Sequence, residues 1–329
     1  MPTEATILTP KEGLAEYGSV LSLNNLRPHV GVHQNALLRK YEWELIDAAV
    51  LDVVRTSLVG IQDLVSLGLV RPLGGLGTLI STYEQLGDMS SADISMEGIV
   101  PGEKDRVTFT PQSVPVPIIH KDFTISLRHL EASRRMGEVL DTTQVRVATR
   151  KVRDQMEAML FNGTTKNLGG YSIYGYTTAP HRLTDTAANY GGGDWGTAKN
   201  AYKTIAGMIT ALAAKGFNGP YGCYASRIQY GQTLNTFGTT SDRSEYTVIT
   251  ENIPGLSFLK PSDVLTDGYV VVVQLTSDVV DLAIGQDVTA IQWAEMGGML
   301  TQYRVMTALA PRIKFDAANN CGVCHATGA

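Results

Sequence analysis

Cys321-Gly322-Val323-Cys324-His325 is the run whose residue types and spacing most directly imply chemistry. Two thiols at this spacing could add to the vinyl groups of a haem, and the adjacent imidazole could ligate its iron. Three features oppose that use. Met1 to Pro10 carries Glu4 and lacks the basic-then-apolar order of an export signal, whereas haem attachment of this kind needs an exported chain. The run lies within residues 321–329, where no pocket is expected to close around a macrocycle, and no second axial ligand is indicated. The expectation is a tail carrying two thiols that can reach other subunits. A disulfide between subunits stays open, as does an adventitious metal, since the run offers three ligands where zinc takes four.

Other candidate chemistry is thinner. His29 and His33 are four apart, but Pro28 and Gly31 deny them a shared helix face. No phosphate-binding loop, nucleophile elbow or zinc-protease motif occurs. Gly74-Gly75-Leu76-Gly77 lacks the last glycine and the preceding strand of a dinucleotide loop and reads as a tight turn. Asn162-Gly163-Thr164 fits a glycosylation sequon, which matters only on an exported chain. Seven basic residues crowd the segment Arg128, Arg134, Arg135, Arg146, Arg150, Lys151 and Arg153, interleaved with Glu131, Glu138, Asp141, Asp154 and Glu157. That face can be solvated and salt-bridged, can meet a neighbouring subunit, or can touch phosphate nonspecifically. No catalytic residue, cofactor site or metal site is read from the chain.

The composition bounds the class. Hydrophobic residues are 43% and charged residues 18%, which is globular and not disordered. A formal net charge of −5 gives no global call for nucleic acid. No apolar run approaches the ~18 residues of a membrane-spanning helix. Three cysteines make no disulfide framework, so a reducing cytoplasm is expected.

The elements that would position any site follow from periodicity. Residues 1–35 form an arm, broken by Pro2, Pro10, Gly13, Gly18, Pro28 and Gly31 yet rich in Leu and Val; it needs an apolar surface on a neighbour or on its own lobe. Trp43, Ile46, Val50, Val53 and Leu58 predict a helix ended by Gly60, and Leu64 to Ile80 suits a buried turn. Ala92 to Val100 and Val107 to Ile119 alternate around Pro101-Gly102 and predict a long hairpin. Pro111, Pro115 and Pro117 bar its second arm from a sheet centre. A long hairpin of this kind is not a stable lobe alone; it folds back or lies on another molecule. Val145, Ala148, Val152, Met156 and Met159 give the longest helix stripe, capped around Asp141-Thr142-Thr143 and stopped at Asn162-Gly163, with Arg150–Asp154 and Arg153–Glu157 as ion pairs along it. Asp194 is read as the cap of a helix from Thr197 to Ala214. Gln229 to Thr236 is read as a helical turn. Strands are read at Tyr221–Ala225, Tyr246–Thr250, Tyr269–Leu275, Val279–Ile284 and Thr301–Phe315.

This order of parts resembles the Hong Kong 97-type fold of tailed-phage major capsid proteins, and within it the encapsulin-like branch. The residues carrying the resemblance are Tyr41-Glu42-Trp43-Glu44-Leu45-Ile46-Asp47, Asp63-Leu64-Val65, Arg71-Pro72-Leu73-Gly74, Val114-Pro115-Val116-Pro117-Ile118-Ile119, Phe123-Thr124-Ile125-Ser126, Leu130-Glu131, Met159-Leu160-Phe161-Asn162-Gly163, Gly175-Tyr176 and a closing strand with Arg312. The resemblance implies an α+β shell protein. It divides the chain into an N-terminal arm (1–35), an N-terminal helix and entry to the peripheral domain (36–80), an extended loop (81–127), a peripheral domain with a spine helix (128–169), an axial domain (170–295), and a return strand with a C-terminal tail (296–329). It implies self-assembly in hexamers and pentamers, with Ile94, Met96, Val107, Phe109, Val114, Val116, Arg146, Arg150 and Arg153 as subunit-interface candidates. The long arm and chain length favour a virion shell around double-stranded DNA, contacted nonspecifically, with portal and scaffold or decoration proteins as partners, assembled in the host cytoplasm without membrane. The alternative is an encapsulin-type compartment loading cargo protein. A soluble α/β enzyme is the third reading, disfavoured because no acid–base or nucleophile constellation is present.

Overall fold

The structure is a computed structural model that describes residues 44–50, 58–87, 109–128, 142–238, 241–296, 299–316 and 318–329, with isolated residues between 89 and 135. The arm, Trp43, Val53 and most of Ala92 to Val100 lie outside the described residues. The helices are α1 (Gly60–Ser66), α2 (Thr143–Asn162), α3 (Asn200–Ala213), α4 (Arg227–Gln232) and α5 (Glu245–Asn252), and residues 44–50 are also helical. The strands are β1 (Val70–Pro72), β2 (Ile80–Leu86), β3 (Phe109–Pro115), β4 (Ile118–Ser126), β5 (Thr164–Leu168), β6 (Tyr171–Ile173), β7 (Leu183–Thr186) and β8 (Tyr221–Ser226). They continue with β9 (Thr236–Gly238), β10 (Ser241–Ser244), β11 (Leu256–Ser262), β12 (Val270–Gln274), β13 (Val280–Glu295), β14 (Leu300–Ile313) and β15 (Val323–Thr327).

Two sheets organise these elements. A four-stranded sheet in the order β1-β13-β14-β4 is built on the long antiparallel ladder from Val280↔Ile313 to Glu295↔Leu300. A five-stranded sheet has the order β11-β8-β12-β15-β7. Every residue of β8 is buried, as are Val270 to Val273, because this sheet is covered on both faces and so carries unbroken apolar runs. On one face α3 packs Ile205, Met208 and Leu212 with Trp195. On the other, Val271, Val273 and Tyr224 share a core with Met156, Leu160 and Phe161 of α2 and with Leu282 and Val305 of the first sheet. The predicted stripe Val145, Ala148, Val152, Met156 and Met159 is buried throughout.

Gly163 ends α2 with φ at 69°. A Cβ there would lie 2.4 Å from the Ile173 carbonyl oxygen, and one on Gly175 would lie 2.3 Å from the Gly163 nitrogen. The two glycines therefore let the chain leaving the helix cross itself in direct backbone contact.

Several sequence expectations are corrected. Gly60 begins a helix, and its bare backbone lets α1 sit on α2, since a Cβ would come 2.8 Å from Leu160 Cδ2. Leu64 to Ile80 is no buried turn, because Val65, Leu67, Leu76 and Leu79 are exposed. Tyr246–Thr250 is helical; the Ser244 hydroxyl accepts from the Thr247 N–H and caps the helix over strand-favouring residues. Asp194 does not cap α3. The buried Glu245 carboxylate accepts from the N–H groups of Lys199 and Tyr202 at that end. Burial pushes its pKa up, against those hydrogen bonds.

Cys321 to His325 is no open tail. Residues of β15 pair with Val270–Val273 on one side and Leu183–Thr186 on the other. Cys321, Cys324 and His325 are all buried. Successive side chains on a strand point to opposite faces, and Cys321 and Cys324 duly fall in different cores, so the run cannot present its ligands to one metal or haem. Among the described residues no group of three or more His, Cys, Asp or Glu is placed to hold a metal. Burial pushes the Cys321 and Cys324 thiols up to about 12. His325 stacks edge-on against Tyr269 at 4.7 Å, and neither ring nitrogen has a hydrogen-bond partner.

Two outcomes test this core. Val152 is 1% exposed, so Val152→Asp places a carboxylate in an apolar core at a cost of about 3 kcal/mol or more; the variant is expected in the insoluble fraction, while the exposed Arg150→Asp stays soluble. Burial, with the Arg182 charge second, lowers the His325 pKa from 6.5 to about 4. The unfolded chain thus takes up this proton first as pH falls. Stability is whole above about 6.5 and declines toward about 4, by on the order of 3 kcal/mol. Thermal midpoints measured across this range should fall less steeply in His325→Leu; equal slopes would remove His325 as the source.

Candidate assembly surface

The second arm of the expected hairpin pairs with a strand that alternation did not mark, and the expected first arm, Ala92 to Val100, lies mostly outside the described residues. β2 pairs antiparallel with β3, from Ile80↔Pro115 to Leu86↔Phe109, as a two-stranded sheet of its own. Pro111 and Pro115 lie in β3, where a missing N–H is tolerated at an edge. Ile94 and Met96 are 101% and 104% exposed, and Phe109 is also exposed. Val107 is half-buried. Val114 is half-buried against the subunit's own core. Val116 is only 8% exposed and packs with Ala308 and Ala310, because its N–H is bonded to the Leu79 carbonyl at 2.9 Å. It therefore serves the subunit's own core and is withdrawn as an interface residue. Leu79, Ile80 and Ile118, which were not among the interface candidates, extend the exposed apolar set.

An ion network fixes the hairpin's base. Arg312 is 0% exposed. Its Nε donates to Asp281 Oδ1 at 2.6 Å and its Nη2 to Asp281 Oδ2, a two-pronged pair across the β13–β14 ladder. Lys314 Nζ lies 2.8 Å from the same carboxylate. The remaining Nη1 donates to the Ser81 hydroxyl at 3.1 Å and the Thr82 carbonyl at 3.2 Å, both on β2. Tyr83 places its ring 6.0 Å from the guanidinium and donates its hydroxyl to the Ile313 carbonyl at 3.3 Å. Burial first, and the nearby Cys321 next, push this phenol up to about 12, so it remains a donor at ordinary pH. Gln85 Nε2 donates to the Asp316 carbonyl at 2.5 Å.

The basic candidates lie along α2. Arg146, Arg150 and Lys151 are exposed, beside exposed Val147. Arg153 is mostly covered and pairs with Asp154 at 2.6 Å; the expected Arg153–Glu157 pair is not the one formed. Glu157 points inward, where its carboxylate accepts from the Gly60 N–H at 2.7 Å and holds the start of α1. Burial raises its pKa against the pull of that bond. Arg134 lies outside the described residues. The surface thus combines an apolar hairpin, aimed by a buried cation, with a basic helix face, and among the described residues it converges on no reactive centre.

Comparison with known proteins agrees with a shell-forming role. Residues 32–310 match the family described as encapsulating protein for peroxidase (Linocin_M18). The type 1 encapsulin shell protein EncA of Myxococcus xanthus is 29% identical over 301 residues, covering 90% of this chain and 96% of that protein. A diheme-cytochrome-encapsulin shell fusion protein of Kuenenia stuttgartiensis is 25% identical over 281 residues, covering 85% of this chain and 72% of that protein. Among solved structures, the virus-like particle from Pyrococcus furiosus superposes with a TM-score of 0.64 at 16% identity, over 88% of this chain and 100% of that one. The capsid of Myoviridae phage XM1 superposes with a TM-score of 0.62 at 16% identity, over 95% and 100%. These likenesses establish the Hong Kong 97-type α+β fold, and the match over residues 32–310 establishes that this chain belongs to the encapsulating-protein family of shell-forming proteins.

Proposed function

We propose that this chain is the shell subunit of an encapsulin-type compartment, in which many copies close into an icosahedral shell around cargo protein in the cytoplasm. The observation carrying this reading is the family match along residues 32–310, joined by a shell protein that aligns over 96% of its own length. The virion reading rested on the arm and the chain length. Length does not separate the two, because 90% of this chain aligns with an encapsulin shell protein. The phage likeness stands at 16% identity and supports the fold alone, so packaged DNA, portal and scaffold partners have no support beyond it. The family description names a peroxidase, and the Kuenenia relative is a fusion with a diheme cytochrome; a redox protein is accordingly the cargo class we favour.

The hairpin residues Ile94, Met96, Val107 and Phe109, with Arg146 and Arg150 on α2, are the surfaces we assign to contacts between copies. Burying each large apolar side chain on a neighbour is worth about 1.5–3 kcal/mol, which repeated around a shell is ample to drive closure. Arg153 is a weaker candidate, since Asp154 already meets its charge.

Two measurements test this. Purified protein should elute in the void volume and show hollow closed particles by negative-stain microscopy, with co-purifying protein and little nucleic acid absorbance. A monomer or small oligomer would sink the shell reading, and DNA-filled particles would return the virion reading. Replacing residues 89–107 with a short Gly-Ser link should leave a folded, soluble, non-assembling chain, because Met89, Ile94 and Met96 are exposed on the subunit; normal shells from that variant would strip the hairpin of its assembly role.

A further inference from the structure

The hairpin's aim is set on one face of one strand. Among the described residues β2 has a paired strand on one edge only, β3. Toward the end of β14 it presents Ser81, Tyr83 and Gln85, which alternate residues place on a single face. Each finds a partner in sequence order: Ser81 at the Arg312 guanidinium, Tyr83 at the Ile313 carbonyl, Gln85 at the Asp316 carbonyl. Thr82 and Glu84, on the other face, are exposed. The acceptors are themselves held in place. Asp316 donates its N–H to the Asn320 carbonyl at 3.0 Å, its own carbonyl accepts from the Asn319 N–H at 3.0 Å, and its carboxylate accepts from the Asn320 N–H at 2.7 Å. Gln85 is also steadied from β3, where Gln112 donates to its Oε1 at 3.2 Å. These contacts substitute side chains for the missing backbone ladder between β2 and the main sheet.

We propose that Tyr83 and Gln85 are positioning residues for assembly: they aim the hairpin at the neighbouring copy while touching no neighbour themselves. This rests on the shell reading above. The lever is long enough to matter. From Ser81 to Leu86 the strand runs about 16 Å, at about 3.3 Å per residue, so a 10° swing at the base moves its far end by about 3 Å. That displacement exceeds the tolerance of an apolar contact, which is lost within about 1 Å of separation between surfaces. Arg312 alone leaves a pivot at Ser81 and Thr82; the tyrosine hydroxyl and the glutamine amide convert it into a fixed direction.

The test compares the parent chain, Tyr83→Phe/Gln85→Ala, and a control altered on the opposite face, Thr82→Ala/Glu84→Ala. Circular dichroism, melting and the chain concentration at which half the protein elutes as shells are measured for each. Each lost hydrogen bond of about 1 kcal/mol shifts the aimed population roughly fivefold. The double variant should therefore keep the parent's spectrum and cooperative melt, while its half-assembly concentration rises at least about tenfold. The control should assemble as the parent does. Assembly of the double variant at the parent's concentration would overturn the positioning role and leave the shell reading intact, as would a control that fails equally. Absence of shells from the parent would instead defeat the shell reading. Should the double variant unfold, Tyr83→Phe removes only a hydroxyl and decides the matter: a rise of about fivefold supports the proposal, and no rise refutes it.

Discussion

A guanidinium without any exposed surface needs a partner at every nitrogen, and Arg312 finds them in a way that dictates the neighbourhood. Asp281 takes two prongs, and Lys314 leans on the same carboxylate, leaving one carboxylate between two cations. The surplus positive charge is relieved by dipoles, the Ser81 hydroxyl and the Thr82 carbonyl. The ion pair in the β13–β14 ladder is therefore complete only when β2 lies across it. From that point β3 is fixed by pairing to β2, and β4 follows through the buried Val116 back into the four-stranded sheet. A hairpin that would be marginal alone inherits its stability from a charge that cannot be left uncovered.

A second tie joins the two sheets. The C-terminal half of α2 feeds Phe161 into a cluster with Tyr176 and Tyr224, ring centres 5.5 Å and 5.2 Å away and edge-on. The Tyr224 hydroxyl donates to buried Asp63 on α1, whose carboxylate also pairs with Lys260 of β11. Helix, sheet and the short helix at its flank thus share one polar–aromatic junction. The bare-backbone crossing of Gly163 and Gly175 brings Tyr176 into it.

Much of this was legible from residues alone. The α2 stripe and the Val270 to Val273 run declare themselves because one period or one unbroken apolar stretch fits a single environment. The proline-edged second arm of the hairpin was legible for the same reason. Its partner β2 was not, because Ser81, Tyr83 and Gln85 are polar or amphipathic and face a polar network, so no apolar alternation marks the strand. The segment Tyr246 to Thr250 misled because its β-branched residues favour strands, whereas the Ser244 cap and burial of Val248 and Ile249 decide for helix. Cys321 to His325 misled because a strand's place in a sheet is a non-local fact. The choice between virion and compartment lay beyond residue patterns altogether, since both are built on one fold.

The position of β15 has a consequence for biosynthesis. It is inserted between β12 and β7, strands that precede it in the chain, and parallel to β7. A ribosome that has released the chain only as far as β14 holds a five-stranded sheet with its fourth member missing and two apolar cores open along the gap. Such a nascent chain has its hairpin made and its anchoring arginine made, but its five-stranded sheet is unfinished. Completion waits for β15, which is translated after both strands it pairs with. Non-local closure of this kind is slow in folding, so the five-stranded sheet is completed late, after the partners of the β13–β14 ladder beside it are already made.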